Sequence, residues 1–464
     1  MKYRIEYDQL GEIKVPADKY WGAQTQRSLQ NFKIGNPASM PIEIIEAYAY
    51  IKKAAAIVNC ELGQLSDVKK KLITEVCDEI ISGQLIDHFP LVIWQTGSGT
   101  HTNMNSNEVI ANRAMHIQQE RNSAYIAIHP NDDVNQSQSS NDTFSAAMHI
   151  AAYKKITYTL LPGLTKLEKT IDNKSLEFWE FIKTGRTHLM DATPIRFGQE
   201  LSGYATQLKK GIEALEYAIK ELKELAIGGT AIGTGINTTV EYNKRIAPYI
   251  ADLTGLPFTA GANNFALIAG HEALLQTHSA IKQLATSLMK IGKDIRMMAS
   301  GPRTGFGELT IPANETGSSI MPGKVNPTQI EALLMVCSKV IGNDVTISIA
   351  NSGGQFELNT YKPVIISCLL ESITLMADVC ISFNDHCVSG IKVNIDQIKK
   401  NLNNSLMSVT ALTPHIGYKN AEKISLKAFK EGITLKEAGI SLGLITESEY
   451  DEWVVHKQML SPRE

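Results

Sequence analysis

Apolar residues recur at helical spacing through the middle of the chain. Between residues 281 and 298 they alternate three and four positions apart, at Ile281, Leu284, Leu288, Ile291, Ile295 and Met298. A second stripe occupies Leu208, Ile212, Leu215, Ile219 and Leu222. A single helix over residues 264–300 would be about 55 Å long at about 1.5 Å per residue, too long for one compact layer to cover. The pattern therefore predicts long helices that pack side by side.

Other segments extend this prediction to a whole bundle. Further long helical patterns cover residues 142–183, 194–226, 327–345 and 362–383, which makes about five helices in one central bundle. A mixed region precedes it, with a strand-like start at residues 3–7 and helices at 41–62 and 66–82. A small helical tail follows, including residues 394–404 and 418–431. We therefore predict a mainly α protein of three domains, at residues 1–138, 139–392 and 393–464.

Composition narrows the functional classes. Of the 464 residues, 43% are hydrophobic and 20% are charged, and 45 basic against 48 acidic residues leave a formal charge of −3. No basic cluster indicates a nucleic-acid partner. The six cysteines show no CxxC and no Cys/His ligand spacing, which argues against a zinc or iron–sulfur site and favours reduced thiols.

Hydropathy argues against a membrane partner. The most apolar long segment, residues 363–383, is interrupted by Glu371 and Asp378 and is typical of a buried helix. The first eight residues carry charges of both signs and lack the apolar core of a secretory signal. We therefore expect a cytoplasmic protein without membrane contact.

Four polar segments interrupt the helical pattern, and we expect each to lead into the N-terminus of a helix. They are residues 94–105, 129–142, 185–194 and 317–327. In the last, Asn326 is a suitable N-cap and Pro327 suits the first helical turn, and Thr193 and Pro194 repeat that arrangement. Free N–H groups at helix N-termini bind carboxylate or phosphate. One such loop more often caps only its own backbone, but four together favour an anion site.

Two side chains in these segments suggest chemistry, and each has a simpler interpretation. Lys324 in a loop is more often a solvated charge, and a lone His188 is more often structural. The neighbouring cap favours an anion contact for Lys324, and Thr187 and Asp191 favour acid–base chemistry for His188. The glycine-rich residues 228–235 follow a helix rather than a strand, so they do not predict a dinucleotide site.

The segment Gly-Ser-Ser-Ile-Met-Pro-Gly-Lys-Val-Asn-Pro at residues 317–327 resembles the signature loop of the fumarase/aspartase superfamily. The resemblance covers nearly the whole chain, from residues 15–27 through 299–303 to 416–418. Within the superfamily the chain resembles the class II fumarases. The sequence Trp-Gln-Thr-Gly-Ser-Gly-Thr at residues 94–100, together with His129, His188 and Gly323, favours fumarase over aspartase. Ile126 and Ala127 stand where family members commonly carry basic residues.

This resemblance implies an activity, an assembly and a fold. The reaction is the reversible anti addition of water to fumarate, giving (S)-malate, as in the tricarboxylic acid cycle, with no metal or other cofactor. The assembly is a homotetramer whose active sites are shared between subunits. The fold has a mixed N-terminal domain, a central long-helix bundle and a small helical C-terminal domain. The alternatives are aspartate ammonia-lyase and a catalytically silent helical oligomer of the same superfamily.

The resemblance also implies roles for individual residues. Ser318 is the base, and His188 with Glu331 positions or activates water on the opposite face of the substrate. Lys324, Asn326 and the loop amides stabilise the doubly negative aci-carboxylate. The remaining substrate-binding residues are Ser98, Gly99, Thr100, Ser139, Ser140, Asn141, Thr187, Ser319 and Val325. A second, non-catalytic dicarboxylate site matches His129, Asn131 and Asp132.

Overall fold

The computed structural model describes residues 2–462, and it confirms the predicted mainly helical class. The helices of the first half are α1 Ala23–Asn31, α2 Ile42–Glu61, α3 Asp67–Ile81, α4 Thr100–Glu120, α5 Ser140–Lys155, α6 Leu161–Glu177, α7 Phe197–Ala218 and α8 Val240–Thr254. Those of the second half are α9 Asn264–Ala269, α10 Glu272–Met298, α11 Thr328–Asn351, α12 Lys362–His386, α13 Ile395–Asn404, α14 Thr413–Ile416, α15 Tyr418–Glu431, α16 Leu435–Ser441 and α17 Glu447–Trp453.

Short strands form two-stranded sheets. The strands are β1 Tyr3–Asp8, β2 Gly11–Pro16, β3 Ile182–Thr187, β4 Met190–Arg196, β5 Glu224–Leu225, β6 Thr259–Ala260, β7 Leu309–Thr310 and β8 Lys392–Val393. They pair in the order β1–β2, β3–β4, β5–β6 and β7–β8; the pair β5–β6 is parallel and the other three named pairs are antiparallel.

Internal contacts divide the chain into two compact units. Unit 1 comprises Met1–Pro162, Glu213–Ala285 and Ser338–Ala377. Its core is built around α2, which packs against α3, α5 and α8. Twelve of the 20 residues of α2 are buried, and alanines at 47, 49, 54, 55 and 56 allow its neighbours to approach closely. These buried positions lie on several sides of the helix, so α2 lacks the single apolar stripe of a surface helix.

Unit 2 comprises Gly163–Ile212, Thr286–Cys337 and Asp378–Glu464. Its β3–β4 hairpin pairs Lys183 with Ile195 and Thr187 with Met190, and α13 packs against β3. The C-terminal helices enclose a separate apolar cluster that includes Leu412, Ile424 and Leu435.

The structure corrects three predicted elements. The helix expected over residues 264–300 is interrupted after Ala269, because Gly270 adopts extended backbone angles and the His271 N–H donates to Asn351 Oδ1 at 2.8 Å. The helical segment expected to reach residue 183 ends at Glu177, before β3 begins. The helix expected from Pro194 begins only at Phe197, because Pro194 lies in β4 opposite Thr184.

Two helices, Thr328–Asn351 and Lys362–Gly390, are long and apolar enough to cross a membrane. This is weak evidence for a span, because core helices meet the same criterion. In the second helix 56% of the apolar window is buried inside the structure, whereas in the first only 33% is. Large apolar side chains of α11 are correspondingly exposed: Met335 by 67%, Val345 by 57% and Ile349 by 65%.

Candidate active site

The loop before α4 is shaped by a glycine. Gly99 has φ of 79° and immediately precedes Thr100, the first residue of α4. A Cβ atom at Gly99 would lie 2.0 Å from the Phe144 ring, so a larger residue does not fit. Ser98 Oγ and Thr100 Oγ1 are 2.8 Å apart and hydrogen bonded. The loop therefore presents small hydroxyl groups at the start of a helix.

A capping box defines the start of α5. Ser139 Oγ accepts from the Asn141 N–H at 3.2 Å, and Asp142 Oδ1 accepts from the Ser139 N–H at 3.0 Å. The other Asp142 oxygen accepts from the N–H groups of Gly228 and Thr230, both at 3.0 Å. Burial raises the pKa of Asp142 to about 6, against the effect of these backbone hydrogen bonds. Ser139, Ser140 and Asn141 remain partly exposed at the first turn.

One buried lysine joins these two loops. The Lys362 N–H donates to Gly97 O at 3.1 Å, and its Nζ donates to Asn141 O at 2.9 Å. Its side chain is fully buried, and burial lowers its pKa to about 7. The structure thus brings together the predicted substrate-binding residues at 98–100 and 139–141 within unit 1.

The residues of the predicted second dicarboxylate site lie around the π-helical turn Pro130–Val134. His129 Nδ1 accepts from the Asp132 N–H at 3.1 Å, and His129 and Asn131 line a cavity of 680 Å³. Arg27, which also lines the cavity, is paired with Asp8 at 2.7 Å. Because Arg27 is paired with a carboxylate, the lining of this cavity contributes little unpaired positive charge.

In unit 2, His188 lies at the tip of the β3–β4 hairpin. Thr187 ends β3, and His188 and Leu189 form the two-residue turn with φ of 56° and 63°. Such turns prefer Asn-Gly, because both central residues need positive φ. A His-Leu turn costs conformational energy, and backbone outliers of this kind cluster at functional sites. The segment 185–194 was expected to lead directly into a helix, and it is instead this hairpin.

The signature loop closes on itself. The Gly317 N–H donates to Lys324 O at 2.9 Å, and Asn326 Nδ2 donates to Gly317 O. A Cβ at Gly317 would lie 2.5 Å from Lys324 O, so the closure requires glycine. Ser319, Lys324 and Val325 are exposed, and Ser318 and Asn326 are partly buried.

Ser318 receives two backbone hydrogen bonds inside this loop. Its Oγ accepts from the Ile320 N–H at 3.2 Å and from the Met321 N–H at 2.9 Å. Hydrogen bonds to an oxygen that becomes charged favour its deprotonated form. The arrangement therefore favours a Ser318 alkoxide relative to a free serine.

The start of α11 differs from the prediction. The helix begins at Thr328, so Pro327 precedes its first residue, and the Asn326 side chain bonds to Gly317 instead of capping the helix. Glu331 lies in the first turn as expected, with its carboxylate 3.5 Å from Arg296. A contact between Glu331 and His188 therefore stays a prediction.

Sequence reasoning missed the buried polar side chains behind these loops. Lys52, Asn103 and Lys362 are at most 1% exposed, and they bond to segments that carry predicted site residues. The sequence did contain one indication of these residues, because three asparagines at positions 103, 105 and 107 are unusual within a helix. Over residues 2–462, no group of three or more His, Cys, Asp or Glu side chains is placed to hold a metal ion.

Comparisons with known proteins place this geometry in a family. A family profile described as a lyase matches residues 11–342, and one described as the fumarase C C-terminus matches residues 409–461. The chain is 58% identical over 460 residues to the class II fumarate hydratase of Haemophilus ducreyi, covering 99% of each chain. It is 52% identical over 463 residues to that of Bacillus subtilis, covering 100% of each.

The structural comparison agrees. A crystal structure of recombinant class II fumarase from Schistosoma mansoni matches with a TM-score of 0.97 at 42% identity, and covers 100% of both chains. The predicted fold family is therefore confirmed, and aspartate ammonia-lyase and a silent oligomer are not favoured. Identity above half over nearly the full length shows that the chain belongs to the class II fumarate hydratases, a family of lyases.

Proposed function

We propose how this chain carries out the reaction of its family, the reversible hydration of fumarate to malate. In the dehydration direction a base removes a proton from C3 of (S)-malate. The carbanion delocalises into the adjacent carboxylate, which becomes a doubly negative aci-carboxylate, and an acid then protonates the departing hydroxide. Because the carbon acid is weak, catalysis requires donors aimed at the charge that develops in the transition state.

Ser318 is the proposed base. A free serine hydroxyl is far too weak an acid to be deprotonated at neutral pH. The two N–H groups of Ile320 and Met321 that converge on its Oγ are the observation that carries this proposal, because they stabilise the alkoxide more than the hydroxyl. Lys324 and Asn326 on the same loop are the proposed stabilisers of the aci-carboxylate.

The other roles follow the same chemistry. His188, supported by Glu331, is proposed to position or activate water on the face opposite Ser318. The carboxylates of the substrate are held by hydroxyl, amide and backbone groups of Ser98, Gly99, Thr100, Ser139, Ser140, Asn141, Thr187, Ser319 and Val325. His129, Asn131 and Asp132 are proposed as a second dicarboxylate site. We propose that no metal or other cofactor takes part, because these donors supply the charge stabilisation.

We propose that the active enzyme is a homotetramer with active sites shared between subunits. The exposed apolar side chains of α11 support this, because Met335, Val345 and Ile349 are each more than half exposed in the isolated chain. A fully active monomer in sedimentation velocity with simultaneous assay would contradict it.

Two further proposals concern the chain as a whole. The long helices α7, α10, α11 and α12 all lie within residues 139–392, which supports the proposed division at 1–138, 139–392 and 393–464. A cytoplasmic location is supported by the six cysteines, which are all free thiols.

The base assignment is tested with Ser318→Ala. We expect the turnover of fumarate to fall by about 100- to 10 000-fold, the usual contribution of a general base. Ser389→Ala is the matched control, since Ser389 is an exposed serine of the same unit whose hydroxyl only bonds to Asp385 O. A Ser318→Ala protein with normal oligomeric state and normal fumarate hydration would remove Ser318 from this role.

A further inference from the structure

A buried lysine lies behind the start of α5. Lys52 on α2 is fully buried, and its Nζ donates to Asn103 Oδ1 at 2.7 Å and to Asn135 Oδ1 at 2.9 Å. Both of these acceptors are amide oxygens rather than carboxylates. A buried ammonium group is costly, and burial lowers the pKa of Lys52 to about 7, so a lysine in this place calls for an explanation beyond packing.

The ammonium group determines the orientation of the amides around it. Lys52 Nζ donates to Asn103 Oδ1, and the protonated form of lysine has donors only, so the atom of Asn103 that faces Lys52 is the amide oxygen. The NH2 group of Asn103 then faces away from Lys52, and it donates to Ser140 Oγ at 2.9 Å and to Asn135 Oδ1 at 3.1 Å. Asn103 is 1% exposed, so water does not compete for these bonds.

This orientation has a consequence for Ser140. A serine hydroxyl has one proton to donate and two lone pairs that accept. Because Ser140 Oγ already accepts from Asn103, its proton remains available to an acceptor on the exposed side of the α5 N-terminus. An ionised carboxylate has only acceptors, so either of its oxygens can accept this proton.

We propose that Lys52 and Asn103 are positioning residues that orient the Ser140 hydroxyl as a hydrogen-bond donor to the substrate carboxylate. This inference rests on the proposed function, in which Ser140 contacts the substrate. It adds a chain of directed hydrogen bonds, from Lys52 through Asn103 to Ser140, that presents a donor to the substrate carboxylate.

The test is Asn103→Asp, which preserves the shape of the side chain. The introduced carboxylate pairs with Lys52, so the buried site remains filled. It also accepts where the amide donated, and it therefore draws the Ser140 proton inward, away from the substrate. We expect KM for fumarate, and the dissociation constant of the unreactive dicarboxylate succinate by calorimetry, to rise about 10- to 100-fold.

A double-mutant cycle separates orientation from charge, because a new carboxylate also repels a dianion. In a Ser140→Ala background there is no hydroxyl to reorient, so Asn103→Asp should weaken succinate binding by no more than about threefold. Asn107→Asp places the same charge one turn along α4, where the amide donates to Asn135 but not to Ser140. We expect this control to weaken binding less than Asn103→Asp does.

The outcomes distinguish the inference from the proposed function. If Asn103→Asp weakens succinate binding equally in the wild-type and Ser140→Ala backgrounds, the inference is overturned and the proposed function is not. The same holds if Asn103→Asp leaves the affinity for succinate unchanged. If Ser140→Ala alone binds succinate as the wild type does, the substrate contact of Ser140 is refuted, and the inference with it. Should Asn103→Asp fail to fold, Lys52→Met is used in the same double-mutant cycle, because it removes the donor that orients the amide of Asn103. The effect of Lys52→Met on succinate binding must likewise disappear in the Ser140→Ala background.

Discussion

The strongest structural prediction concerns Glu308, the buried carboxylate beneath the hairpin that carries His188. Glu308 is 0% exposed, and its two oxygens bind Arg186 at 2.7 Å and Lys183 at 2.9 Å. Both basic residues belong to β3, the strand that ends at Thr187, immediately before His188. Glu308 therefore anchors the strand that presents the proposed water-activating residue.

We expect Glu308→Gln to destabilise unit 2 by about 3 kcal/mol, the lower end of the range for breaking a buried ion pair. The lower end applies because Lys183 keeps a second partner, Glu200, at 2.8 Å. A glutamine has one oxygen and one NH2 group, so whichever way it turns, its NH2 group faces either Lys183 or Arg186, which are also donors. Displacement of the strand should lower kcat by about 10- to 100-fold.

The measurement combines urea unfolding, fumarate turnover and hydrogen exchange of the peptide that covers residues 182–196. Glu180→Gln is the control, because Glu180 pairs with Arg196 of the same hairpin at 3.3 Å but has a 75% exposed side chain. An exposed pair contributes less than about 1 kcal/mol. The reasoning is refuted if the two variants have the same unfolding free energy and Glu308→Gln leaves hairpin exchange unchanged.

Further predictions concern the buried His149, the turn of the β3–β4 hairpin, the signature loop and the proposed independence from metal. Burial lowers the pKa of His149 to about 4, so the unfolded chain binds more protons between about pH 4 and 6.5, and acid should cost on the order of 3 kcal/mol of stability in that window. His149→Asn, which keeps a donor for Glu224 O, should show a shallower fall in melting temperature there. Leu189→Gly should relieve the positive φ and raise stability by about 0.5 kcal/mol while lowering kcat, and a less stable variant would contradict the strain. Asn326→Ala should slow turnover on the order of hundreds of times, and near-normal turnover would exclude a transition-state role. Dialysis against EDTA should leave activity intact, and activity regained only on adding a metal would contradict the proposed chemistry.

The spacing of apolar residues was sufficient to predict the bounds of helices that bury one apolar face. Helices α3, α13 and α15 lie within a residue of the predicted segments, because their stripes of apolar side chains are local in sequence. The family was also recognisable from the signature loop, since its glycines and polar residues are consecutive. These features depend on neighbours along the chain, which a sequence displays directly.

Helix α4 illustrates where periodicity fails. Its buried face includes Asn103, Asn105, Asn107 and Glu108, so it lacks the apolar stripe that reveals a helix. The hairpin at 182–196 was missed for a related reason, because its turn uses His188 and Leu189 where local preference favours Asn-Gly. In both places local preference gives way to a specific tertiary arrangement.

The amino-acid sequence was enough to establish the helical class of the protein, most of its long helices and its membership of a family. Only the folded structure revealed that Lys52, Lys362 and Glu308 are buried and to which segments of the chain they bond. Lysine and glutamate are almost always exposed, and their partners here lie tens to hundreds of positions away in sequence. Whether such a charge is solvated or buried depends on packing between distant segments, and no local pattern contains that information.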